Sequence, residues 1–203
     1  MPITGSMLRV ALASGAVLLG PLLGGATGGG MAAAPPALES LFSGGFELTD
    51  HNGTPRTSQE FRGRFMLIFF GYTYCPTICP TNLQQMAQAL ELLGDKAKKI
   101  VPIFITIDPK RDTPALLKEY MANFGPKFLG LTGTDAQIRA VTKSYRVHRR
   151  KVIPDTSAPQ DYLVDHSSLT LLLGPDGKFR TLFPHNTTGP VMAKRMAKYL
   201  SAN

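Results

Sequence analysis

The feature that most constrains this chain is the segment Gly71-Tyr72-Thr73-Tyr74-Cys75-Pro76-Thr77-Ile78-Cys79-Pro80, which holds the only two cysteines of its 203 residues, four positions apart. It follows the apolar run Phe65-Met66-Leu67-Ile68-Phe69-Phe70, which reads as a buried strand. It precedes Leu83, Met86, Ala87, Leu90 and Leu93, apolar at helical spacing, with Gly94 as the helix stop. The thiols therefore sit at a strand-to-helix corner. Proline is favoured at the first helical position, so Pro80 is expected to place Cys79 at or beside the N-cap. Unpaired N–H groups and the helix dipole favour an anion there, which lowers a thiol pKa.

The rest of the chain alternates strands and helices around that corner. Phe46-Glu47-Leu48-Thr49 and the turn His51-Asn52-Gly53 predict a short N-terminal hairpin. A second apolar strand runs from Ile100 to Ile107, and Thr113 before Pro114 reads as an N-cap and first-turn proline opening a helix to about Asn123. Leu129 to Thr132 is a short strand, and Asp135 starts a helix carrying Ile138, Val141 and Tyr145. Short strands are expected at Val147 to Val152 and Tyr162 to Val164. Ser168 to Leu173, the turn Pro175-Asp176-Gly177 and Lys178 to Phe183 form a hairpin, and a last helix runs from about Pro190 to Leu200. This order predicts an α/β thioredoxin-like fold, a central mixed sheet with flanking helices and an N-terminal hairpin.

Val10 to Ala34 carries no charge and Arg9 stands just before it, so residues 1–34 read as a membrane anchor or signal segment and 35–43 as a linker to a domain over 44–203. Arg9 predicts that the N-terminal end stays in the cytoplasm. The domain is then on the periplasmic side of the membrane or secreted to the periplasm. In an oxidising compartment an isolated cysteine pair is a disulfide, a redox dithiol or a metal site. The net charge of +8 lies in short clusters, Lys96 to Lys99, Arg146 to Lys151 and Lys194 to Lys198, without aromatic interleaving or a nucleic-acid motif. The pattern gives no nucleic-acid partner and leaves a basic surface able to meet an acidic partner or an anionic membrane.

Three residues separate the cysteines, one more than in the usual thiol–disulfide motif. Sulfurs at i and i+4 of a helical turn still converge. Two thiolates suit Cu(I), and an added imidazole makes a set that also holds Cu(II) or zinc. Of His51, His148, His166 and His185, the candidate third ligand is His166, in Val164-Asp165-His166-Ser167-Ser168, because it enters a strand expected beside the first core strand.

Those two motifs, with Gly44-Gly45-Phe46-Glu47-Leu48, Phe61-Arg62-Gly63-Arg64, Phe69-Phe70-Gly71-Tyr72-Thr73 and Asp108-Pro109-Lys110-Arg111-Asp112-Thr113-Pro114, resemble the Sco/SenC family from about Gly44 to the C-terminus. The resemblance implies a thioredoxin-fold copper protein, tethered or exported, that assists assembly of the CuA centre of cytochrome c oxidase. The family's copper ligands fall on Cys75, Cys79 and His166. It implies as partners the CuA-bearing subunit, other copper chaperones or thiol–disulfide reductases, and the membrane. The chain departs from the family at Thr77, where an acidic residue is common, and this changes the field at the thiolates.

Asp108 and Asp112 are expected to serve turn and helix-start chemistry, or else to shape a docking surface or hold Arg111. Tyr72 and Tyr74 are expected in the core, with a cover over the site as the other reading. Asp165 is expected to orient the His166 imidazole. The alternative function is a thiol–disulfide oxidoreductase in which Cys75 and Cys79 are a redox-active pair that reduces a partner's cysteines. A peroxidase of the same fold needs a supporting Thr and Arg arrangement that the sequence does not display.

Overall fold

A computed structural model describes residues 42, 44–153 and 161–201. The expected anchor and most of the expected linker lie outside the described residues. Phe42 is buried and stacks on Phe179 with ring centroids 4.8 Å apart.

Seven strands form one mixed sheet in the spatial order Pro55–Thr57, Glu47–Asp50, Leu129–Thr132, Ile100–Thr106, Phe65–Gly71, Leu169–Leu173, Phe179–Pro184. The N-terminal hairpin is β1 (Glu47–Asp50) and β2 (Pro55–Thr57). The centre is β3 (Phe65–Gly71) and β4 (Ile100–Thr106), paired in parallel, each buried along its whole length. Burial on both faces is why these strands are continuous apolar runs and do not alternate. β5 (Leu129–Thr132) runs parallel to β4 and antiparallel to β1. On the other side β8 (Leu169–Leu173) pairs antiparallel with β3, and β9 (Phe179–Pro184) closes the sheet.

The helices are α1 (Ile78–Leu93), α2 (Pro114–Ala122), α3 (Asp135–Ser144) and α4 (Gly189–Ser201). α1 packs on α4, and α2 packs on β5. Each start has a local cause. Thr113 Oγ1 accepts from the Leu116 N–H with Pro114 in the first turn, and Thr134 and Gln137 form a reciprocal capping box at α3. Gly94 ends α1 at φ 53°, a left-handed value that a side chain would strain.

A separate two-stranded ribbon, β6 (Arg149–Val152) with β7 (Leu163–His166), stands beside the main sheet. The expected strands over 147–152 and 162–164 are thus present, and the second extends to His166. No helix among the described residues is long and apolar enough to cross a membrane.

Candidate metal centre

Topology brings together residues far apart in the chain. β8 is antiparallel to β3, so the start of β8 lies beside the end of β3, with Phe69 opposite Thr170. The cysteine loop leaves that end of β3 and His166 stands just before β8, which places the Cys79 Sγ 3.6 Å from the His166 Nε2. Ligand atoms of Cys75, Cys79 and His166 all lie within 4.8 Å of one another. Cys75 and His166 line a cavity of about 290 Å³ together with Tyr72, Ile78 and Leu163, with the fully buried Cys79 sulfur beside the imidazole. His51, His148 and His185 stand apart from this cluster among the described residues; the His51 Nδ1 accepts from the Gly130 N–H at 3.0 Å.

The helix start differs from the sequence expectation. α1 begins at Ile78 with Thr77 as its N-cap, so Cys79 is already inside the first turn and Pro80 follows it there. The first four N–H groups of a helix have no partner within it, so Pro80 loses nothing at that position. The Thr77 side chain makes no cap bond; instead the Cys79 N–H donates to the Cys75 Sγ at 3.4 Å. Sulfur thus serves as the acceptor for one of the orphan donors.

This arrangement separates the two thiols. The Cys75 pKa is lowered to about 4: the Cys79 thiol donates to its sulfur, and the His166 side chain and the N–H groups of Cys79 and Thr77 add to this against the opposing effect of burial. The Cys79 pKa is pushed well above the ordinary thiol range by its bond to the Cys75 sulfur and by burial. Cys75 is the nucleophilic thiolate, and Cys79, fully buried, holds the proton.

Gly71, the last residue of β3, makes the approach of Cys79 possible. A Cβ there would lie 2.8 Å from the Cys79 Sγ and 2.9 Å from the Phe104 Cε2. The imidazole is clamped by rings, Tyr72 edge-on at 5.9 Å and Phe69 at 6.3 Å between centroids. Its Nδ1 lies 3.2 Å from the Ser167 carbonyl oxygen. A carbonyl only accepts, so Nδ1 carries a proton in that contact and Nε2 faces the sulfurs. The expected Asp165 partner is therefore corrected. Successive side chains alternate along a strand, and the Asp165 carboxylate lies 3.5 Å from the Arg150 guanidinium across the ribbon.

Asp112 does more than start a helix. It is fully buried and accepts from the Thr73 N–H at 3.1 Å, the Thr73 Oγ1 at 2.6 Å and the Thr106 Oγ1 at 2.5 Å, while its carbonyl accepts from the Thr132 Oγ1 at 2.9 Å. One residue thereby ties together the chain just past β3 and the ends of β4 and β5, and fixes the root of the cysteine loop. Asp108 holds Arg111 at 2.5 Å and accepts from the Tyr162 hydroxyl at 2.8 Å. The Arg111 guanidinium lies over Tyr162 at 3.7 Å and over Tyr74 at 4.6 Å. Tyr72 is buried as expected and also walls the cavity, but Tyr74 is 56% exposed, a correction to its expected core place.

Buried soft donors at the carboxyl edge of a thioredoxin-like sheet define a thiol-based protein whose cysteine pair has a third, nitrogen donor. The comparisons make the class specific: residues 34–201 match the SCO1/SenC family model, and the chain belongs to that family. A SCO2-like protein of Rickettsia felis is 49% identical over 136 residues, 67% of this chain and 66% of that one, so the match spans just under two thirds of that relative. Two solved structures, each of a ScoI with copper bound, share the fold. The Arabidopsis thaliana protein is 34% identical with a TM-score of 0.74, covering 80% of this chain and 99% of that one. The Bradyrhizobium japonicum protein is 42% identical with a TM-score of 0.70, covering 78% and 99%.

Proposed function

We propose that this protein is a copper metallochaperone that carries copper on Cys75, Cys79 and His166 and delivers it to the CuA centre during cytochrome c oxidase assembly. The observation that carries this reading is the convergence of two thiols and one imidazole nitrogen within 4.8 Å, with Cys75 and His166 opening onto one cavity. Two thiolates suit Cu(I), and the imidazole extends the set to Cu(II). The chain's residues prepare the site: Asp112 holds the loop root, Gly71 admits the Cys79 sulfur, and Tyr72 and Phe69 fix the ring. Membership of the family and the copper held by two of its solved members support the reading.

Residues 1–34 would place the domain on the outer face of the cytoplasmic membrane, as an anchor or after export to the periplasm. A tether beside a membrane-bound acceptor raises effective concentration without a new contact. X-ray absorption on the full-length reduced protein loaded with one copper tests the ligand set. Two sulfurs and a nitrogen are expected, with the nitrogen lost in His166→Ala; a copper shell without sulfur overturns the proposal.

A second reading rests on the split thiols. A low-pKa Cys75 with a protonated Cys79 behind it is an attack-and-resolve pair for thiol–disulfide exchange, able to reduce a partner's cysteines.

A further inference from the structure

A second cavity, of about 310 Å³, lies against the first. Lys110, Arg149, Arg150 and Lys151 line it with Asp108 and Asp135. Val164 lines both cavities, so they flank the same strand, β7. The carboxylates here are already engaged. Asp108 holds Arg111, Asp135 holds Arg139 and Arg149, and Asp165 lies by Arg150. Counting Lys110 and Lys151, six cations meet three carboxylates, and the surplus is positive. Lys151 also sits 3.8 Å over the Tyr162 ring, on which Arg111 lies as well, so this ring is flanked by two cations.

Apolar side chains border the charge. Among the described residues, six large hydrophobic side chains are exposed, and four of them, Tyr74, Ile78, Ile153 and Leu163, lie in the cysteine segment or in or next to the ribbon. Ile78 and Leu163 flank the mouth of the cysteine cavity itself. An apolar centre with a charged rim is the anatomy of a protein docking site, and a small anion would engage only the cations.

We infer that the cysteine mouth and the β6–β7 ribbon form one docking face for a polypeptide partner with Asp and Glu residues around an apolar contact. The acidic rim of the partner enters the Lys110–Lys151 cavity while its apolar centre covers Tyr74, Ile78 and Leu163. This rests on the proposed function and deepens it, since the mouth that this face surrounds opens onto Cys75 and His166. Rim charge of this kind governs association rate and its salt dependence more than the final contact.

The test uses the full-length chain loaded with Cu(I) and the CuA-bearing domain of a cytochrome c oxidase subunit as acceptor, with transfer followed by the CuA absorption after oxidation. In K110E/K151E the transfer rate is expected to fall at least about tenfold at low salt and to approach the unsubstituted rate near half-molar salt. Copper affinity should be unchanged, because neither lysine is a candidate ligand. The control K194E/K198E makes the same change in net charge on α4 and should transfer normally. Transfer by K110E/K151E at the unsubstituted rate, or an equal loss in the α4 control, overturns the docking face and leaves the chaperone reading standing. If the unsubstituted protein transfers no copper, the chaperone reading fails and a second measurement decides the face. In NMR titration with a short Asp/Glu peptide containing one leucine, shifts at Lys110 and Arg149–Lys151 together with Tyr74, Ile78 and Leu163 support it. Shifts that are absent, limited to the cations, or spread equally over Lys194 and Lys198, overturn it.

Discussion

Gly71→Ala is the substitution through which backbone packing and metal affinity should fail together. The added methyl would lie 2.8 Å from the Cys79 Sγ, 2.9 Å from the Phe104 Cε2 and 3.0 Å from the Phe69 Cε1. Favourable contacts lie near 3.5–4.0 Å, so each neighbour must retreat by about 0.5–1 Å. None has a free end to swing away, because Cys79, Phe104 and Phe69 are all fully buried. Overpacking of this kind costs about 1–3 kcal/mol. A binding constellation tolerates only about 0.5 Å of displacement, and the sulfur is one of the groups pushed. If the strain is felt at the sulfur, about 1–3 kcal/mol corresponds to roughly 5–150-fold weaker copper binding.

The assay is competition for Cu(I) against a chromogenic chelator on the full-length protein, paired with thermal unfolding of the metal-free form. Gly130→Ala is the control. Its Cβ would meet the Met121 Cγ at 2.9 Å, in contact with none of the candidate ligands, so it should cost stability and leave copper affinity alone. Native copper affinity in Gly71→Ala would refute the argument that this glycine is required by the sulfur.

Two other outcomes follow from the same geometry. With its pKa held near 4, Cys75 should be alkylated in reduced Cys79→Ser at a rate nearly constant from about pH 6 to 8; the serine hydroxyl keeps a donor to the sulfur, and a tenfold rise per unit, as for an ordinary thiol, would contradict the assignment. Asp112→Asn should destabilise the protein by about 1–3 kcal/mol, because one amide oxygen cannot replace a carboxylate that accepts from Thr73 and Thr106. Burial raises the Asp112 pKa, so the folded state binds this proton more tightly than the unfolded chain, and the contribution of Asp112 declines as pH rises above 3.8 through its folded value. The stability gap between the two proteins should therefore narrow with rising pH in denaturant titrations, and a widening gap would reverse the sign argued here.

The sheet was legible because its signals are periodic and local. β3 and β4 are uninterrupted apolar runs, the Pro175-Asp176-Gly177 turn sits between two apolar strands, and Thr113-Pro114 marks a helix start. The convergence of His166 with Cys79, 87 residues away, was legible only because strand order places the start of β8 beside the end of β3. What escaped depends on partners that spacing does not reveal. Asp112 meets Thr73 across 39 positions, and its carbonyl meets Thr132 across 20, so no local pattern marks it. Pro80 misled because proline fits any position of the first turn whose N–H is already an orphan. Tyr74 looked like core by its neighbours, yet lies in the loop after β3, where Arg111 covers its ring.

The copper and disulfide readings draw on the same two sulfurs, and His166 distinguishes them. Exchange chemistry needs a thiolate that a partner can reach and a resolving thiol, roles open to Cys75 at the cavity and Cys79 behind it; forming their disulfide releases the Cys79 proton and passes two electrons to a partner disulfide, which becomes a dithiol. Nothing in that cycle requires an imidazole held between Tyr72 and Phe69 with its Nδ1 at the Ser167 carbonyl and its Nε2 turned to the sulfurs. A site that holds copper in both oxidation states does use such a donor, with its second nitrogen fixed by a hydrogen bond. Oxidation of the pair then acts on copper carriage, because a disulfide offers no thiolate to the ion. A protein reduced before loading and oxidised after delivery would use one cavity for both chemistries in sequence, with the redox state of Cys75 and Cys79 setting when copper is held.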